Sequence, residues 1–241
     1  MNDNLNNGIS IRNKGKSVFL NNKVLKILFF VLIGFILTLF IFYSAISLWD
    51  KKNSFSVMVS SYGLNINDGN NNPKNGCIML STDANFTSPS THINCESING
   101  LNNISILDIP YNICDIDGEH NGEDYIALTF YLKNVGAECV ISDKIIINNC
   151  YRDVDEAIRV LVYRNNDFNQ YAKLNKNGEC EYNTIAFYSD NYVCYNENIV
   201  TMNEVVKYTI VIWLEGDDPD CTDDLFGGHI DLSMEFNVID N

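Results

Sequence analysis

From Ile27 to Trp49 the chain reads "ILFFVLIGFILTLFIFYSAISLW", an apolar run without a charged residue. At 1.5 Å per residue, such a helix is about 34 Å long, enough to cross a hydrocarbon core of about 30 Å with some tilt. Nothing else in the sequence approaches it, so one span is expected. Upstream lie Arg12, Lys14, Lys16, Lys23 and Lys26 against a single acid, Asp3. Basic residues flanking a span stay on the cytoplasmic side, which puts the N-terminus inside and the remainder outside. The expected organisation is a disordered, Asn-rich cytoplasmic segment over residues 1–23, a signal-anchor helix over 24–49 and an extracellular domain over 50–241. The alternative is a cleaved signal peptide, for which Ala45 and Ser47 would fit a small-residue cleavage site. The apolar stretch, however, exceeds the h-region of about 7–15 residues that such peptides carry.

The span divides the charge unevenly. Five of the 16 Lys and Arg and one of the 31 Asp and Glu precede Asp50, leaving 11 basic and 30 acidic residues, net −19, beyond the span. A surface of that sign repels nucleic acid and anionic lipid, and attracts cations and basic partners. A nucleic-acid function is excluded on that ground.

The eight cysteines, Cys77, Cys95, Cys114, Cys139, Cys150, Cys180, Cys194 and Cys221, all fall beyond the span. In an oxidising compartment an even number reads as a set of disulfide staples. No two lie close enough for the C-x-x-C pairs of a zinc site. The competing reading makes several of them small buried hydrophobes in a core that needs no staples.

Beyond the span, short runs rich in β-branched and aromatic residues alternate with Asn, Asp and Gly turns. Ile126, Leu128, Phe130 and Leu132 share one face of a strand, and Ile230, Leu232, Met234 and Phe236 share another. This period of two, without long helical patterns between strands, predicts an all-β, two-sheet sandwich of one domain. Other strand candidates are "SFSVMVSSYGL", "CIML", "NISILDI", "KIIINN", "AIRVLVYRN", "TIAFYS" and "KYTIVIWLEG". In the last, Trp213 is expected in the core with Ile210 or Leu214. Asp153 reads as the N-cap of a helical turn, and Asn65 to Gly76 as a surface loop.

Two acidic loops invite a metal reading, because carboxylates are the hard oxygen ligands that calcium takes. One carries Asp115, Asp117, Glu119, Glu123 and Asp124, and reads foremost as a solvated hairpin turn. The other, "GDDPDCTDD", offers Asp217, Asp218, Asp220, Asp223 and Asp224 as candidate calcium ligands. Neither keeps the register of an EF-hand loop, and a solvated turn is the rival reading for both. No catalytic constellation is legible. His92, His120 and His229 are far apart and form no H-E-x-x-H, and there is neither a G-x-S-x-G elbow nor a glycine-rich phosphate loop. His229 reads as a surface residue at the start of a strand.

The segments "DEAIRVLVYRN" (Asp155 to Asn165), "TIAFYSD" and "KYTIVIWLEGDDPDCTDDLFGGHIDLSMEF" resemble a family of single-pass surface proteins from low-GC Gram-positive bacteria. Its members have a basic N-terminus, one span, a strand like "YIALTFYLKN", and an "IVIWLEGDDP-C" segment followed by Gly-Gly and a closing strand. The resemblance covers Tyr125 to Phe236, and the chain departs from it in cysteine number. More distantly the chain is similar to the TasA/camelysin group of exported matrix proteins. That likeness implies a jelly-roll-like sandwich and assembly into extracellular fibres. Camelysin-like proteins have been classed as peptidases, but no metal-protease motif is present to receive that role.

The expectation is therefore a membrane-anchored cell-surface protein, not an enzyme, with a structural, adhesive or matrix-forming role. Its partners are the membrane, through one helix, and further copies or another surface protein. A ligand-binding or sensory ectodomain is the alternative, and a hydrolase the third reading. For fibre assembly, "SFSVMVSSYG" is the candidate for an unpaired edge or donated strand.

Overall fold

The computed structural model describes residues 22–49, 52–60 and 78–239. Helix α1 (Asn22–Trp49) is apolar on every side from Ile27 onward, with its side chains exposed from Leu25 to Tyr43. Its window Leu25–Ser44 is long and apolar enough to cross a membrane. The hydroxyls of Thr38 and Ser44 donate to the carbonyls of Phe35 and Ile41, each at 2.8 Å, so neither needs a partner outside the helix. The chain divides into two units, residues 1–50 and 51–241.

The second unit is all-β. Its strands are β1 (Ser54–Val59), β2 (Ile78–Ser81), β3 (His92–Asn94), β4 (Asn103–Ile104), β5 (Gly118–Glu119), β6 (Tyr125–Asn134), β7 (Cys139–Tyr151), β8 (Ile158–Arg164), β9 (Asp167–Ala172), β10 (Ile185–Ala186), β11 (Tyr192–Val200), β12 (Val205–Glu215) and β13 (His229–Ile239). One sheet has the order β11-β7-β13-β1-β3, the other β10-β9-β8-β12-β6-β2, with β4 and β5 added to β12 and β6. From β6 onward the chain passes back and forth between the sheets, except over β8, β9 and β10, which stay in one. This is the expected two-sheet sandwich with jelly-roll-like crossings.

The alternating positions read from sequence face one another across the sandwich. Ile126, Leu128, Phe130 and Leu132 from β6 meet Ile230, Leu232, Met234 and Phe236 from β13 in one core, all fully buried. Three rings tie the sheets together: Phe130 stacks on Tyr208 at 5.4 Å, and Phe236 stands edge-on to Phe130 and Tyr208 at 6.0 and 5.3 Å. Aromatic pairs in such geometry add about 0.5–1.5 kcal/mol each beyond their area.

The larger sheet is covered on its outer face as well. Residues 104–116 lay two 3₁₀ turns, Ile106–Asp108 and Ile113–Asp115, across it. Ile109 and Ile113 pack there on Ala127, Leu161, Val211 and Trp213, a cluster separate from the inter-sheet core. A strand buried on both faces needs no alternation, which explains the continuous run "TIVIWL" in β12. Trp213 is buried as expected, but on the side opposite Ile210 and Leu214, because successive side chains of a strand point to opposite faces.

Several local expectations are corrected. β3, β9 and β11 were not legible as strands, while "NISILDI" and "TIAFYS" shrink to two-residue strands. β1 is not an unpaired edge: it pairs in parallel with β13 and antiparallel with β3. Backbone bonds between Asn53 and Ile98, Phe55 and Cys95, and Val59 and Thr91 extend that second pairing. His229 is buried against Tyr151, ring centroids 5.1 Å apart, rather than on the surface. The turn at Val154–Glu156 exists, but Asp153 enters it with φ 51° and makes no side-chain cap. The two glycines after the acid turn have distinct reasons. Gly227 adopts φ 74°, whereas a Cβ on Gly228 would sit 2.8 Å from the Tyr151 carbonyl oxygen and collide with Val154. Asn65 to Gly76 and Cys77 lie outside the described residues.

The disulfide expectation is not met among the described residues. Cys95, Cys114, Cys139, Cys150, Cys180, Cys194 and Cys221 are all free. Cys95 and Cys194 are buried in the inter-sheet core, with Cys139, Cys150 and Cys221 at its margin, where they act as small hydrophobes. Burial pushes the thiols of Cys95, Cys150 and Cys194 up to about 12. At pH 8 a thiol with that value is ionised in about one molecule in ten thousand, against about a quarter for an ordinary cysteine. Iodoacetamide at pH 8 is therefore expected to label exposed Cys180 first in the native protein, with Cys95, Cys150 and Cys194 slower by orders of magnitude. Unfolding without reductant should make all eight cysteines of the chain reactive by peptide mapping. Thiols that appear only after reduction would restore the disulfide reading.

Candidate functional site

The acid turn leaves β12 where Gly216 closes against the Asn103 backbone, and Pro219 holds the chain in a tight bend. Asp218 organises that bend. Its Oδ1 accepts the Asp220 backbone N–H at 2.7 Å, and its carbonyl accepts the Cys221 N–H at 2.9 Å. Its Oδ2 receives Arg159 Nη2 at 2.6 Å. Arg159 projects from β8, the strand paired with β12, and its side chain is only 4% exposed.

Glu181, from the loop between β9 and β10, completes the group, with Oε2 3.9 Å from the same Arg159 nitrogen. Lys176 Nζ reaches Asp220 Oδ1 at 2.6 Å from the solvent side. Among the described residues, Glu181, Asp218 and Asp220 form the set whose ligand atoms converge, all within 4.8 Å of one another. Burial, with Asp218 and Asp220 nearby, raises the Glu181 carboxyl above its ordinary value, and Arg159 opposes the rise. Beside the group, Trp213 Nε1 donates to Glu215 Oε2 at 3.1 Å, which ties the buried Glu215 to the outer cluster.

Of the five aspartates singled out in the sequence, two enter this group. Asp217, Asp223 and Asp224 are exposed, the last two in a 3₁₀ turn. Glu181 was not anticipated, because it lies far back in the chain and only the fold brings it to the turn. The three carboxylates are hard oxygen ligands of the kind calcium takes. Each also has a cationic side chain within 4 Å, so an incoming ion would compete with Arg159 and Lys176 for the same oxygens.

The other acidic loop is a hairpin turn. β5 pairs with β6, and the His120 and Gly122 N–H groups donate to the carbonyls of Ala127 and Tyr125. Its acids spread outward to separate partners rather than converging. Asp117 accepts from Tyr131 Oη at 2.6 Å, Glu119 from the Glu96 backbone at 2.8 Å, and Asp124 from Asn102. Asp115 ends a 3₁₀ turn, and Glu123 is exposed. The histidines stand on separate elements: His92 on exposed β3, His120 in this turn and His229 at the start of β13. No family model, curated protein or solved structure matches this chain.

Proposed function

We propose that this protein is a membrane-anchored cell-surface protein whose exported β-sandwich has a structural, adhesive or matrix-forming role. The observation that carries this reading is the order of its parts. A short basic segment comes first, then one helix apolar on every side, then a net −19 sandwich. The positive flank orients the N-terminus toward the cytoplasm. The acidic surface favours solubility and basic or cationic partners outside. Free thiols accord with export where burial keeps them un-ionised, because the thiolate is the species that oxidises.

The resemblance to single-pass surface proteins, and more distantly to fibre-forming matrix proteins, supports an assembly role. β1 does not offer itself as the assembling edge, since both its sides are paired. The acid turn serves as a rigid exit from the central strand, held by Arg159. We assign no catalytic residue. A ligand-binding ectodomain is the second reading, favoured by a polar cleft between the sheets.

Orientation is tested by adding protease to intact, wall-stripped cells that carry an N-terminal epitope tag. The expected result is loss of the chain beyond Asp50 with retention of a short, tagged, membrane-bound fragment. Protection of the acidic unit would overturn export and the surface role together.

A further inference from the structure

The edge strand β11 departs from the pattern that the rest of the sandwich follows. Its register pairs Cys194, Asn196 and Asn198 with Ile145, Asp143 and Ile141 of β7. Directly paired residues share a face, and Ile141 and Ile145 are fully buried, so Asn196 and Asn198 also face inward. Ile199, between Asn198 and Val200, points outward and is 64% exposed. Packing alone would reverse that arrangement, and such reversals concentrate where a protein has another use for the position.

Asp143 repeats the anomaly on β7. It lies between two core isoleucines, is 2% exposed, and accepts from Asn196 Nδ2 and Asn198 Nδ2 at 2.9 and 2.7 Å. Burial raises its carboxyl above the usual range, against the opposing pull of the two amides and Arg164. On the facing sheet, Arg164 follows Val160 and Val162 on the inward row of β8, and Asn169 and Asp167 share the inward row of Tyr171 on β9. Arg164 Nε donates to Tyr208 Oη at 3.3 Å, and Arg164 enters no ion pair among the described residues.

These groups line a cleft of about 350 Å³ between the sheets, with buried Tyr171 and Tyr208 among its walls. That volume falls at the small end of the range of about 300–1,000 Å³ for small-molecule sites. The lining mixes carboxylate, carboxamide, guanidinium and phenol. An anion would meet Asp143, Asp167 and Glu197, and a cation would meet Arg164. A hydroxyl both donates and accepts, and so can use the accessible groups of this lining, Arg164, Asn169, Asn196 and Asn198. Closely spaced hydroxyls on a compact ring with apolar C–H faces are the chemistry that fits.

We propose that this cleft binds a neutral saccharide, one ring or the end of a short chain, through Arg164, Asn169, Asn196 and Asn198, with Asp143 holding the two β11 amides in place. The proposal supplies a ligand class for the adhesive role and rests on that reading only for its setting. Binding is measured on purified protein and orientation on cells, so failure of one is distinguishable from failure of the other.

The test uses the full chain in nanodiscs of phosphatidylcholine, which has no sugar headgroup. Saturation-transfer NMR is run with the methyl glycosides of glucose, galactose, mannose and N-acetylglucosamine, and with glucuronate and glucosamine as charged comparisons. At least one neutral glycoside is expected to bind with Kd near 1 mM or tighter. Arg164→Gln is expected to weaken it about tenfold or more, by removing a charged donor. Asn169→Ala, at an exposed position, should weaken it several-fold with a melting temperature close to that of the parent. No signal from any neutral glycoside at about 10 mM, ten times a millimolar Kd, would overturn the proposal. So would binding untouched by both variants, or tighter binding of the charged sugars, which would make the cleft an ion site.

Discussion

Asp218→Ala is expected to lower the unfolding free energy of the sandwich by about 3–5 kcal/mol, the cost of removing one partner from a buried ion pair. The loss follows from what stays behind. Arg159, with a side chain 4% exposed, keeps only Glu181 at 3.9 Å as an acidic partner, and the Asp220 N–H loses its acceptor. For a unit of this size, about 2–4 °C per kcal/mol implies a fall in melting temperature of about 10 °C. The double variant Arg159→Met with Asp218→Ala should recover most of the loss, because the buried charge leaves with its partner. Urea denaturation of the full chain in detergent, followed by circular dichroism, reads both variants. A loss under about 1 kcal/mol for Asp218→Ala would place the pair among surface ion pairs of little energetic weight.

Trp213→Ala is expected to cost about 3–5 kcal/mol, as for other buried aromatic truncations. Its ring is fully buried and is the largest side chain in the outer cluster beneath residues 104–116. The indole N–H also satisfies Glu215, itself only 8% exposed. Trp213→Phe should keep much of the packing yet still cost about 1–3 kcal/mol, because Glu215 Oε2 then loses the indole donor. If the outer cluster merely rests on the sheet, both variants should melt like the parent, and double-sided burial of β12 would then carry no energetic weight.

The two variants probe parts of the molecule with different legibility. That Trp213 is buried could be read from a long apolar strand, but its side could not. Periodicity says that Ile210 and Trp213 face apart, yet it does not say that a stretch of 3₁₀ turns will cover the second face. The acid turn behaves similarly. Its exit from the strand at Gly216 and Pro219 was legible, whereas Arg159 and Glu181 joined it from distant segments. β11 was missed for a related reason: its inward asparagines and outward Ile199 invert the pattern by which a strand is recognised. β9, "DFNQYA", has only its last two residues buried and carries too little apolar signal to be read.

By itself the sequence determined the membrane-capable helix, because length and absence of charge are local properties that no packing partner can alter. It also determined the strand character of β6, β12 and β13, where apolar residues alternate or run unbroken at a length only a buried strand explains. Tertiary structure alone decided which faces are covered and which carboxylates meet. Among the described residues it also left the thiols unpaired and placed polar residues inward between the edge strands. Each of these depends on which segments, far apart in the chain, pack or pair together. Local spacing cannot encode that choice, because one strand pattern is compatible with many partners.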